Sequence, residues 1–124
     1  MTAPNPRTLV VKCTAGVDEP ERCSQAFTVA ATAVAAGAAV SLWLTGEAAW
    51  LAVPGRAEAF SLPHAAPLAE LRDAIVAGGT LTVCSQCAAR RGIEADGLVP
   101  GAVIRGSASF VDECLADSAE ALVY

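Results

Sequence analysis

Nineteen consecutive residues, Ala26 to Leu44, carry no charge, and any fold this chain adopts has to bury them. A stretch of that length reaches the range of a membrane-spanning helix. Its texture argues for something else. The first part is mostly alanine, Gly37 interrupts it, and the second part reads Val40-Ser41-Leu42-Trp43-Leu44. This is a helix, a turn at the glycine and a strand, and no membrane span is expected. The strand, Ala39 to Thr45, is apolar without alternation, the mark of a strand buried on both faces in a parallel sheet.

The rest of the chain repeats this grammar. Thr8 to Cys13 predicts a first strand. Asp18 is placed to cap a helix, with Pro20 in its first turn and Glu21 three residues after the cap. That helix runs to about Ala36, with Cys23, Phe27, Ala30 and Val34 on one face. After the second strand come a short helix from Glu47 to Val53 and an irregular stretch from Arg56 to Pro67. A helix follows over Leu68 to Ala77. Thr80 to Cys84 is the third strand and Gln86 to Arg91 a short helix. Ala102 to Arg105 is the fourth strand. Ser107 is placed to cap a helix to about Ala116, with Phe110, Val111, Cys114 and Leu115 inward. Ala121 to Tyr124 is a last, edge strand. Strands separated by helices imply parallel pairing through right-handed crossovers. The expectation is one α/β domain over residues 1–124, with a five-stranded, mostly parallel sheet in the flavodoxin-like order 2-1-3-4-5. No repeat or linker divides the chain.

Charge narrows the function. The formal net charge is −5, and the eight Lys and Arg are scattered singly except for Arg90-Arg91. A nucleic-acid-binding face needs a clustered basic patch, so none is expected. Arg90-Arg91 read as solvated charges near a helix end. Gly16-Val17-Asp18 lacks the spacing of a phosphate loop. The five cysteines are an odd number, and MTAPNPR has no secretory pattern. That combination predicts reduced thiols in the cytoplasm.

The sharpest chemical signal is Cys84-Ser85-Gln86-Cys87. In an open parallel sheet, ligands bind beyond the carboxyl ends of the strands, at the switch point. Cys84 ends a strand there and faces the start of a helix, whose free N–H groups and dipole favour thiolate. In the order 2-1-3, Cys13 and Cys84 end adjacent strands and share one mouth, which makes Cys13 an auxiliary candidate. His64 is a second auxiliary candidate, as a base in the long loop. Cys23 and Cys114 fall on apolar helix stripes and read as packing. Trp43 and Trp50 also read as packing, or as the wall of a pocket or contact. A structural zinc would draw on Cys84, Cys87, Cys13 and His64 or Cys23, but no second CxxC exists. No metal and no cofactor are expected.

Taken together, GVDEPERCSQAFTVAATAVAAG, LWLTGEAAWLA, TVCSQCAARRGI, LVPGAVIRG and the final EALVY resemble the DsrE family, the DsrE/TusD/YchN-like proteins of sulfur relay. The similarity runs along nearly the whole chain and rests on the order and spacing of these segments. It implies a three-layer flavodoxin-like sandwich that assembles into dimers, trimers or hexamers. It implies a persulfide carried on the cysteine at the position of Cys84, with a protein as sulfur donor or acceptor. Cys87 departs from the single-cysteine pattern and brings in redox chemistry. Three functions are therefore carried forward: a sulfur carrier using Cys84, a Cys84–Cys87 dithiol redox or sensing module, and a non-catalytic oligomeric subunit that binds a small molecule.

Overall fold

A computed structural model describes residues 7–124. The reading of the N-terminus through Pro6 lies outside the described residues. Five strands form one parallel sheet: β1 (Thr8–Cys13), β2 (Ala39–Leu44), β3 (Thr80–Cys84), β4 (Ala102–Arg105) and β5 (Ala119–Val123). Between them run α1 (Pro20–Ala35), a 3-10 helix (Gly46–Ala52), α2 (Arg56–Ala59), α3 (Leu68–Gly78), α4 (Ser85–Arg90) and α5 (Ser107–Cys114). The uncharged stretch divides as its texture predicted, into the end of α1, a turn with Gly37 at φ 91°, and β2. No helix among the described residues is long and apolar enough to cross a membrane.

The α/β class and the five-stranded parallel sheet are those predicted. The strand order is not. The sheet runs β4-β3-β2-β1-β5, so β2 separates β1 from β3. Both orders use parallel strands and crossovers of ordinary length, so periodicity along the chain does not choose between them. In the observed order, β1 through β4 step in one direction across the sheet. Right-handed crossovers then place α1 and α3 on one face, and the long return from β4 to β5 places α5 on the other. Side-chain alternation bears this out. Val11 and Cys13 of β1, Leu42 and Leu44 of β2, and Leu81 and Val83 of β3 join Phe27, Ala30, Leu68 and Ile75 in one apolar cluster. Trp43 points the other way and meets Phe110 of α5 edge-on, with ring centroids 5.3 Å apart.

The two layers are unequal. The α1/α3 side is thick and dry. On the other side α5 spans eight residues, and none of them is fully buried. Of the four α5-region residues predicted inward, Phe110 and Cys114 are half-buried, while Val111 and Leu115 are exposed. Other local readings also shift. Asp18 does not cap α1. Its Oδ1 accepts the Gly16 N–H at 2.8 Å, and Glu19 holds the cap position. Gly106, not Ser107, precedes α5. The irregular stretch contains α2, and its one charged anchor explains it. Arg72 of α3 is almost wholly buried and donates from Nη1 and Nη2 to the two carboxylate oxygens of Glu58, each at 2.9 Å.

Two predictions follow from this packing. Phe27→Ala empties the centre of the thick layer, and urea unfolding should register a loss of about 3–5 kcal/mol. The Arg72 guanidinium bonded to Glu58 holds that carboxyl at about 2, below its ordinary 4.5. A depressed pKa stabilises the fold above the ordinary value and stops doing so as pH falls through the lowered one. Glu58→Gln should therefore melt below the parent at neutral pH. The gap between the two melting temperatures should close as pH falls from 4.5 towards about 2.

Candidate functional site

Cys84 closes β3 and stands immediately before α4, with φ −62° and ψ 129°. Its strand alternation groups it with Thr82, on the side of α5. Cys13 lies level with Leu44 and Val83, on the side of α1. The two thiols therefore do not share a mouth. They sit on opposite faces, with β2 between their strands, about two strand spacings or roughly 10 Å apart across the sheet. Cys13 is fully buried, and its S–H donates to the Ala15 carbonyl at 3.1 Å. It touches Cys23, and that contact together with burial pushes the Cys23 thiol far above its ordinary range. His64 lies in the exposed loop before α3, at φ 62°, and does not line the cavity at Cys84.

That cavity, of about 300 Å³, lies under α5 at the carboxyl end of the sheet. Lys12, Trp43, Thr45 and Cys84 form its sheet side, and Ser107, Phe110 and Val111 form its α5 side. The hood is held by Trp43, whose Nε1 donates to Glu113 Oε2 at 3.2 Å. Lys12 Nζ stands 5.0 Å from the centre of the Phe110 ring. The backbone beneath Lys12 is fixed on both sides. Lys12 pairs with Trp43 in β2, and its carbonyl accepts the Tyr124 N–H at 2.8 Å.

The site gives the Cys84 thiol a bias. Partial burial raises its pKa, but four other groups outweigh burial. They are the backbone N–H groups of Cys87 and Gln86, the Cys87 thiol and the Lys12 ammonium. The net result is a pKa below the ordinary 9.0. Cys87 is buried, and its Sγ accepts the Gly46 N–H at 3.2 Å. Gly46 is suited to that approach. It holds φ 54°, and a Cβ there would meet the Thr14 carbonyl oxygen at 2.9 Å. Arg91 locks the same corner, donating to Glu47 Oε2 at 2.8 Å and to the Cys87 carbonyl at 3.1 Å. It is thus an anchor of α4 rather than a solvated charge.

Sequence reasoning did not place Lys12, Thr45 or Ser107 at the site, and it took Phe110 for core. One signal was available: Lys12 is the chain's only lysine, and it interrupts an otherwise apolar strand. Cys114 belongs to the same neighbourhood, with its thiol pushed up by burial and by Glu113 against the pull of Lys12. Among the described residues, no cluster of three or more His, Cys, Asp or Glu is placed to hold a metal. The arrangement offers a thiol biased towards thiolate, a second thiol that adds to that bias, and a cation beside a partly apolar chamber. Iodoacetamide should alkylate Cys84 ahead of the buried Cys13, Cys23 and Cys87. The midpoint of its pH–rate curve should fall below 9.0 and move upward in Lys12→Gln.

Comparison with known proteins fits this fold. YchN from E. coli superposes with a TM-score of 0.80 at 15% identity, over 95% of this chain and 99% of that one. The protein of unknown function MTH1491 from Methanobacterium thermoautotrophicum gives 0.69 at 7% identity, over 97% and 100%. BT1422 from Bacteroides thetaiotaomicron, also of unknown function, gives 0.63 at 15%, over 95% of each chain. These identities speak for fold alone. Among curated proteins, no sequence matches significantly. The model of the DsrE/DsrF-like family matches residues 8–122, nearly the whole chain. This protein belongs to the DsrE/DsrF-like family.

Proposed function

We propose that the protein is a sulfur carrier that accepts a sulfane sulfur on Cys84 as a persulfide and passes it on. One observation carries the reading: the half-buried thiol of the CxxC pair is biased towards thiolate and opens on a chamber large enough for a small reactant. The family's general association with sulfur relay agrees with it. The step conserves atoms and electrons. The Cys84 thiolate attacks the outer sulfur of R–S–SH, the S–S bond of the donor breaks, and R–S⁻ leaves. Delivery is the same exchange onto an acceptor thiolate. The five free cysteines suit a reducing, cytoplasmic setting. A protein partner fits the acidic balance of the chain if it presents a basic patch. A homo-oligomer would cover Val111 and Leu115, and Val123 on β5, which stand exposed on the thin side of the sheet.

A second reading has an observation of its own. The Cys87 thiol is one of the groups that lower the pKa of Cys84. Its attack on the inner sulfur of a Cys84 persulfide would release HS⁻ and leave a Cys84–Cys87 disulfide, which a cellular dithiol would have to reduce. Sulfur storage and dithiol redox chemistry therefore differ in one measurable product. Reduced protein is exposed to a cysteine desulfurase with cysteine, then mapped by peptide mass spectrometry. A reductant-labile gain of one sulfur on Cys84, lost in Cys84→Ser, is the expected result. A loss of two hydrogens joining Cys84 to Cys87 would bring the redox reading forward. Unchanged thiols would leave a non-catalytic binding or assembly role.

A further inference from the structure

Lys12 poses a question that the persulfide reading alone leaves open. It is a half-buried cation that faces a cavity. Among the described residues the ion pairs involve Arg7, Arg72 and Arg91, and none includes Lys12. Its near neighbour is the face of Phe110, and one oxygen of the Glu113 carboxylate accepts the Trp43 Nε1–H. A half-buried cation with no direct ion pair is free to attract a negative group that enters the cavity. The chamber's other groups define what that is. Ser107 is a hydroxyl residue able to donate a hydrogen bond, the Thr45 hydroxyl being donated to the Cys13 carbonyl at 3.3 Å, while Trp43, Phe110 and Val111 give apolar and aromatic surface, which suits polarisable sulfur. The volume of about 300 Å³ is at the low end of ligand sites, the size for a small molecule under a hood.

Resting on the persulfide reading of Cys84, we propose that this chamber is a loading site for small hydropersulfides bearing a negatively charged substituent, with Lys12 as the positioning residue. The donor places its outer sulfur against the Cys84 thiolate and its anionic group against the Lys12 ammonium. When the donor's S–S bond breaks, the charge gathering on the departing R–S⁻ also falls within the field of Lys12. Protein partners then serve as acceptors, reached after loading.

Three donors test this, each rate taken relative to the same donor's rate with a free neutral thiol: the hydropersulfides of 3-mercaptopropionate, 2-mercaptoethanol and cysteamine, which are anionic, neutral and cationic. Single-turnover loading of Cys84 is followed by mass spectrometry. The anionic donor should load fastest and the cationic one slowest, with roughly tenfold between them. The spread should shrink as ionic strength rises. Lys12→Gln should bring the three rates together while still loading from the neutral donor, and Lys12→Arg should restore the order. Equal rates in the wild-type protein, or an order that survives in Lys12→Gln, would overturn the proposal. So would loading by a desulfurase but by none of the three small donors. The salt dependence of the wild-type protein tests the idea even if the Lys12 variants fold poorly. Should no donor of any kind place sulfur on Cys84, it is the carrier reading itself that falls.

Discussion

Strand β2 is buried on both of its faces, and each face serves a different purpose. Leu42 and Leu44 point into the apolar layer beneath α1 and α3, where close packing around Phe27 and Ile75 holds the sheet together. Trp43, between them, points the other way and is itself almost fully buried. Its ring meets Phe110 in a T-shaped contact and its indole N–H holds Glu113, so a helix too short to bury any residue completely still stays over the strand ends. The cavity at Cys84 exists because one large aromatic occupies a central strand on the thin side. Removing that bulk would take away the support of the hood.

The strands were legible because their side chains obey simple rules. An apolar run without alternation between α1 and Gly46 leaves few options besides a central parallel strand, and β1, β3 and β4 fall where their β-branched runs place them. Helix ends were less legible. Asp18 carries the right side chain for a cap, yet its carboxylate is used two residues earlier, on the Gly16 N–H. The strand order was not legible at all, since a right-handed crossover is satisfied on either side of β1. That one ambiguity displaced Cys13 from the site: adjacency to β3 was assumed, and β2 lies there instead.

The site shows the same division. Cys84 was visible because its chemistry and its position coincide at a strand end. Lys12 was not, because one polar residue at the end of an apolar strand reads as an edge effect. Only the fold shows that β1 lies between β2 and β5, so that the lysine is covered by α5. His64 is the opposite case. Its chemistry attracted attention, but the loop that carries it runs away from the cavity towards α3. A reactive side chain without a placement is weak grounds for a role, and a plain one at a strand end under a hood is stronger.

The arrangement of the cysteines has a further consequence. The sheet is a continuous layer of hydrogen-bonded backbone and packed side chains, and it stands between Cys84 and the Cys13–Cys23 pair. An electrophile that enters under α5 meets Cys84, with Cys87 behind it at the corner of α4, and nothing carries it through the strands to the other two. Cys13 and Cys23 are sealed on the dry side, one of them bonded to a carbonyl and the other held firmly protonated. The fold thus acts as a partition between the thiol that faces the cavity and the two buried on the other side. Five cysteines in a small chain need not scramble, because the wall between them is the structure's own core.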